Sequence, residues 1–216
     1  MIKGVIFDLD GVLVSTDELH FKAWKKLAEE LGICGFTKED NMRQKGVSRM
    51  ESLEVVLEKT DHVYNPEEKV DLAERKNSYY VEYLQELTEE AVLEDVVQTL
   101  ADLREKGILI AVGSASKNTP LILQKTGLDF LIDQVSCGLD TTKSKPDPEV
   151  FYIAAKKLQL SPEECLVVED SAAGIQAAKS AQMKSLGVGP EYKQLGAEYE
   201  SYSLQSEVDW DIILQG

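Results

Sequence analysis

The chain reads as an α/β protein: a Rossmann-like parallel sheet flanked by helices, with an inserted α-helical cap. Three observations predict this. Short apolar, β-rich runs recur at 5–7, 108–112, 131–135, 166–168 and 184–188. From residue 92 onward, helix-patterned stretches separate these runs, at about 95–106, 117–126, 148–159 and 171–181. Strands alternating with helices in this way build βαβ units and a parallel sheet. Finally, the first and second runs are separated by a long stretch without a strand pattern, far too long for a simple crossover.

The first strand, Val5-Ile6-Phe7, runs directly into Asp8-Leu9-Asp10-Gly11. Alternate residues of a strand share a face, so Asp8 and Asp10 emerge together where the buried strand stops. Carboxylates held that close repel each other and require a compensating cation or a shared proton. The strandless stretch that follows reads as helices at about 17–32, 38–44, 49–60 and 66–87. Ser48-Arg49-Met50-Glu51 has the form of a capping box, as does Ser161-Pro162-Glu163-Glu164 with proline at the first helical position. In the 66–87 helix, Val70, Ala73, Tyr80, Leu84 and Leu87 follow an apolar stripe. Lys76 and Asn77 interrupt it, which marks either a patch facing a cleft or a lysine that snorkels to solvent. The organisation expected is therefore a helical cap over 15–87, set into an α/β core made of 1–14 and 88–216.

Composition limits the partners. The 216 residues are 43% hydrophobic and 29% charged, with a net charge of −16. Such a balance argues against non-specific binding to nucleic acid or an anionic membrane. An anionic substrate would have to be met by a few local cations. No apolar run approaches the roughly 20 residues that span a bilayer. A cleaved secretory signal is not expected, since the first strand begins at Ile2 and cleavage would remove the aspartates. The three cysteines, Cys34, Cys137 and Cys165, lack metal-ligand spacing. They read as free thiols of a reducing compartment, and the expectation is a cytoplasmic monomer.

In open α/β sheets, ligands bind outside the carboxyl ends of the strands. Four short stretches fall at such ends: Asp8-Leu9-Asp10-Gly11, Ser114-Ala115-Ser116, Lys145-Pro146 ahead of a helix, and Glu169-Asp170-Ser171. Singly each is weak, because Asp-x-Asp loops are common and acidic pairs often cap helices. In this order and context they resemble the four motifs of the haloacid dehalogenase (HAD) superfamily, whose members mostly transfer phosphoryl groups through an aspartyl phosphate. The resemblance runs over essentially the whole chain. It implies Asp8 as nucleophile and Asp10 as acid/base. The chemistry suits these residues: a carboxylate can attack phosphorus, and a second one can protonate the leaving oxygen and later accept a proton. The resemblance also implies Mg2+, a hard octahedral ion, held by Asp8, the Asp10 backbone carbonyl and Asp170, with Glu169 as a further candidate. Ser114 and the amides after it, from Ala115 onward, would cradle phosphoryl oxygens, and Lys145 would neutralise one of them.

Within that superfamily the sequence most closely resembles the β-phosphoglucomutase family, and the match extends into the cap. Thr16 and His20 follow the nucleophile loop. "KGVSRMES" supplies Lys45, Gly46, Val47, Ser48, Arg49 and Ser52; "RKN" supplies Lys76 and Asn77; "SASKN" supplies Ser114, Ser116, Lys117 and Asn118. This resemblance implies a phosphorylated hexose as substrate and a bisphosphate as activator. Arg49, Ser116, Lys117 and Asn118 would grip the non-transferring phosphate, while His20 and Lys76 would contact the sugar and the hinge side.

The residues themselves speak for Arg49, which the capping box places in the first turn of a helix, where free amides favour an anion. Its guanidinium fork also matches phosphate, although an exposed surface arginine would read the same way. Departures from the family pattern are Ser15, which stands where an aspartate is common, the segment "SCGLDTTKSKPDP", and the tail after Val188. Trp24 is expected to pack and His62 to be solvated. The function expected is an isomerase interconverting β-glucose 1-phosphate and glucose 6-phosphate. The alternatives are a sugar-phosphate phosphatase on the same scaffold and a non-catalytic phosphosugar-binding protein. A mutase must exclude water while it holds a remote phosphate; a phosphatase needs water and tolerates a looser cap.

Overall fold

The computed structural model describes residues 1–215. Six strands, β1 (Gly4–Phe7), β2 (Leu109–Gly113), β3 (Gln134–Ser136), β4 (Cys165–Glu169), β5 (Lys184–Gly187) and β6 (Tyr199–Glu200), form one parallel sheet. Their order is β3-β2-β1-β4-β5-β6. Sequence order reverses at β1, so the crevice for a ligand opens at its carboxyl end. Register aligns Phe7 with Val112 on one side and Val168 on the other. The residues that follow these strands therefore arrive at one place.

Every residue of β1 is buried, because helices cover both faces. Val5 and Phe7 face a cluster containing Leu100 and Leu103 of α5 (Val96–Glu105), Ile122 and Leu123 of α6 (Thr119–Thr126), and Ile213. Ile6 faces the opposite cluster, with Phe151 and Ala154 of α7 (Glu149–Leu158) and Ala177 and Ala178 of α8 (Ala172–Ser180). This alternation is the period of two that a strand imposes.

Between β1 and β2 the chain forms a helical layer. It comprises α1 (Asp17–Glu30), α2 (Lys38–Met42), α3 (Arg49–Leu57) and α4 (Pro66–Leu84). The layer has an apolar cluster of its own around Trp24, Leu27, Leu53, Val56 and Leu72. Three of its four helices, α2, α3 and α4, have starts set by side chains. The Ser48 hydroxyl accepts from the Glu51 amide and the Glu51 carboxylate accepts from the Ser48 amide, and Asn65 and Glu68 make the same reciprocal pair ahead of α4. Replacing such a cap with alanine typically costs about 1 kcal/mol.

Several expectations need correction. The third strand is Gln134–Ser136 rather than 131–135, and Asp129–Leu131 form a short 3-10 turn. Leu131 and Ile132 do pack on the core, and a short apolar run cannot reveal whether it is strand or buried turn. The box at Ser161 starts only a 3-10 turn, Pro162–Glu164, because β4 begins at the next residue. Helix α4 stops at Leu84, and Val70 is 47% exposed, so the buried stripe is Leu72, Ala73, Lys76, Tyr80 and Leu84. The two-residue β6 and the helix α9 (Trp210–Gln215) carry no pattern that predicts them. Cys34 is exposed, while Cys137 and Cys165 are buried, and none is paired. Among the described residues no helix is long and apolar enough to cross a membrane.

Candidate active site

Asp8 directly follows β1, and its amide donates to the Val168 carbonyl at 2.9 Å. That bond fixes its side chain beside the end of β4. Carboxylate oxygens of Asp8, Glu169 and Asp170 lie within 4.8 Å of one another. Two glycines make this possible. Gly11 has φ +84°, and a β-carbon there would overlap the Asp170 carboxylate. A β-carbon on Gly174 would collide with that of Glu169.

Lys145 holds the inner side of this cluster. Its Nζ lies 2.5 Å from Asp8 Oδ1 and 2.5 Å from Glu169 Oε1, and the residue is only 1% exposed. The other Glu169 oxygen accepts from the Ser171 amide at 2.9 Å and hydroxyl at 2.8 Å. Outside the cluster, Lys45 Nζ reaches Asp170 at 3.1 Å and Asp17 at 3.1 Å. Burial works against the Lys145 ammonium, yet Asp8 and Glu169 hold its pKa above the ordinary lysine range. Burial raises Asp8 well above the carboxylate range despite Lys145, with Glu169 and Asp170 pushing the same way. Asp170 is pushed up to about 6 by burial and Glu169, against Lys45. Clustered, desolvated oxygen donors with excess negative charge fit a hard divalent cation.

Asp10 stands apart from that triple. Its Oδ1 accepts from the Thr16 hydroxyl, which is itself 3.0 Å from the Tyr80 hydroxyl. Burial pushes Asp10 up to about 6, opposed by the Thr16 bond. One carboxylate oxygen of Asp10 is thus engaged, and its raised pKa suits the carboxyl to proton transfer. Thr16, expected to touch substrate, is fully buried and does not line the cavity. It orients Asp10 instead. Lys145 and Glu169 also lie behind the cavity wall rather than in it.

The cavity has a volume of about 610 Å³ and lies between the strand ends and the helical layer. Asp8, Asp10 and Asp170 line it from the sheet, together with Ser114, Ala115, Ser116, Lys117 and Asn118. From the helical side come His20, Lys45, Gly46, Val47, Ser48, Arg49, Ser52, Lys76 and Asn77. The loop after β2 is bent by its own hydroxyls: Ser114 Oγ accepts from the Ser116 amide at 3.1 Å, and Ser116 Oγ from the Asn118 amide at 3.2 Å. Of the amides expected to cradle phosphoryl oxygens, that of Ser116 is thus already engaged. Those of Ala115 and Lys117 have no hydrogen-bond partner among the described residues. Asn118 reaches across the cavity and donates to Asn77 Oδ1 at 2.9 Å.

Two cations on the helical side lack carboxylate partners among the described residues. Arg49 begins α3, and burial lowers its pKa, with Glu74 opposing. Lys76 is 2% exposed, so it does not snorkel. Its Nζ lies 2.9 Å from His20 Nδ1, 4.6 Å from the Trp24 ring centre and 4.7 Å from that of Tyr80. Burial, then the Arg49 charge, lowers Lys76 to about 7. His20 is lowered well below its usual value by burial and then Lys76, which favours the neutral imidazole. Trp24 and Tyr80 also line the cavity. Sequence reasoning assigned them to packing alone, and only the polar break at Lys76-Asn77 hinted that the helix face turns toward a ligand. The cavity wall formed by Gly138 and residues 141–144 had no such signal.

Residues 2–182 match the family described as haloacid dehalogenase-like hydrolase. The chain is 42% identical over 202 residues to a β-phosphoglucomutase of Bacillus subtilis, covering 91% of this chain and 88% of that protein. It is 30% identical over 190 residues to a phosphorylated carbohydrates phosphatase of Thermotoga maritima, covering 86% and 84%. Among solved structures, a β-phosphoglucomutase from Clostridium difficile superposes with a TM-score of 0.91 at 37% identity, covering 100% of this chain and 96% of that one.

Proposed function

The chain belongs to the haloacid dehalogenase-like hydrolase family, and on that footing we propose that it interconverts β-glucose 1-phosphate and glucose 6-phosphate through a phosphorylated Asp8 and a bisphosphate intermediate. The observation that carries this reading is Arg49. It faces the same cavity as Asp8, from the opposite layer and at a helix N-terminus, and among the described residues no carboxylate lies within ion-pair distance of it, Glu74 acting only from further off. A cation so placed suits a second phosphate held remotely while the first is transferred. The likeness to the B. subtilis mutase, stronger than that to the T. maritima phosphatase, supports the same choice.

In this reading Asp8 attacks phosphorus, and Lys145 keeps its carboxylate in place. Asp10, aimed by Thr16 and Tyr80, donates a proton to the leaving oxygen and takes one from the incoming hydroxyl. Ser114 and the amides of Ala115 and Lys117 face the transferring phosphoryl oxygens. Mg2+ would be held by Asp8, Asp170 and the Asp10 carbonyl and would supply positive charge opposite those oxygens. Glu169 acts behind them by holding Lys145 and Ser171. Arg49, Ser116, Lys117 and Asn118 grip the remote phosphate, and Lys76 and His20 meet the sugar between. Residues 15–87 form a cap whose closure over the core, 1–14 and 88–216, keeps water from the aspartyl phosphate.

The test is a product assay with β-glucose 1-phosphate, Mg2+ and a catalytic amount of glucose 1,6-bisphosphate. Glucose 6-phosphate should be the main product. Release of free phosphate and glucose instead would favour the phosphatase reading.

A further inference from the structure

Most bonds that tie the helical layer to the sheet use groups that the substrate or the ion would engage, such as Lys45 with Asp170 and Asn77 with Asn118. Two side-chain bonds do not depend on such groups. Lys125 Nζ donates to the Gln85 carbonyl at 3.1 Å, at the far end of α4, and the Ser144 hydroxyl, on the rim of the cavity, donates to Glu51 Oε2 at 2.7 Å, joining residues 93 positions apart. Glu51 is in the first turn of α3, two residues after Arg49, and does not line the cavity. The same carboxylate oxygen accepts from the Ser48 amide at 2.8 Å, so it is already aimed before Ser144 arrives.

Ser144 is aimed as well. The Thr142 and Lys143 amides both donate to Glu149 Oε2 at 2.7 Å, which pins the loop to the first residue of α7. The residue after Ser144 is Lys145, which bridges Asp8 and Glu169. The bond therefore joins the turn that carries Arg49 to the loop that carries Lys145, and each side is preorganised by a separate carboxylate.

We propose that Glu51 and Ser144 form a latch between cap and core, a pair of positioning residues that favours the closed state and thereby limits hydrolysis of the aspartyl phosphate. The latch rests on the mutase reading for its kinetic consequence but not for its structural one. Glu51 is exposed and Ser144 partly so, and a charge-assisted bond in contact with water contributes modestly. Its loss should shift the closing equilibrium roughly three- to tenfold.

The test uses Ser144→Ala, which leaves the Ser48–Glu51 capping box intact, and Ser144→Thr, which keeps the hydroxyl. One spin label is placed on the native, exposed Cys34 in the cap and a second at Glu191→Cys, an exposed position in the core. Cap-to-core distances in Ser144→Ala should extend to longer values, and Ser144→Thr should restore the wild-type distribution. In parallel, phosphate released per glucose 6-phosphate formed should rise roughly three- to tenfold in Ser144→Ala, with the thermal midpoint maintained and acetyl phosphate hydrolysis, which passes through the same aspartyl phosphate, raised or at least not lowered. Unchanged distances in Ser144→Ala overturn the latch whatever the kinetics. A parallel fall in acetyl phosphate hydrolysis overturns it too, by placing Ser144 in the support of Lys145. Failure of the mutase reading would show separately, as phosphate release by the wild type, and the distances would still judge the latch.

Discussion

Asp10 and Asp170 keep their protons up to about pH 6, chiefly because the surrounding protein takes water away from both. An unfolded aspartate titrates near about 3.9, so between about pH 4 and 6 the folded, metal-free protein binds more protons than the unfolded chain. Stability falls with rising pH in that window. Lys76 acts in the opposite sense at higher pH. Its folded pKa of about 7 lies below the unfolded value, so its contribution improves as pH rises from about 7 towards 10. A divalent cation competes with the protons on the carboxyls. The rise in thermal midpoint on adding Mg2+ to chelated protein should therefore be larger at pH 7.5 than at pH 5. An increment that is absent, or that does not grow with pH, contradicts the carboxylate site. Asp8 and Asp170 are legible in sequence because their motifs sit at strand ends. The role of Thr16 is not, since it depends on burial against Tyr80, 64 residues away.

Helix α8 shows how an element is shaped by the site it supports. Gly174 is in its first turn, and helix propensity alone predicts that alanine there would stabilise the protein by about 1 kcal/mol. The structure predicts the reverse sign. A β-carbon at Gly174 occupies the space of the Glu169 carboxyl, whose displacement breaks its bonds to Lys145 and Ser171. Gly174→Ala should destabilise by about 1–3 kcal/mol, the range for a buried polar group left unpaired, and should lower turnover as Lys145 loses its anchor. Urea denaturation and a rate assay check both; a more stable, fully active variant would refute the packing described for Glu169. At this scale the sequence is legible where signals are local. Reciprocal side-chain bonds at Ser48 mark the start of α3. The start of β3 is missed, because Leu131 and Ile132 are apolar for the core contacts of a turn.

Across the whole molecule, the sheet brings Asp8, Ser114 and Glu169 together from strand ends distant in sequence, and the helical layer adds Arg49 and Lys76 across the cavity. The alternation of apolar runs and helices makes the sheet readable, since burial on both faces imposes it along the chain. What closes over the site is not readable in that way. The contacts Lys45–Asp170, Asn77–Asn118 and Glu51–Ser144 join polar residues with no periodic pattern. The account depends on one arrangement: Asp8 transfers a phosphoryl group on the core side while Arg49 holds a second phosphate on the helical side. The most direct measurement is the ratio of kcat/KM for hexose phosphate isomerisation to that for acetyl phosphate hydrolysis, in wild type and Arg49→Ala. Loss of a charge-assisted phosphate contact should lower isomerisation by roughly tenfold to a hundredfold. Acetyl phosphate has no second phosphate, so its hydrolysis should change little and the ratio should collapse. An equal fall in both activities would assign Arg49 to the fold or to the transferring group, and no fall in either would make it a surface arginine; each result would contradict the two-phosphate site.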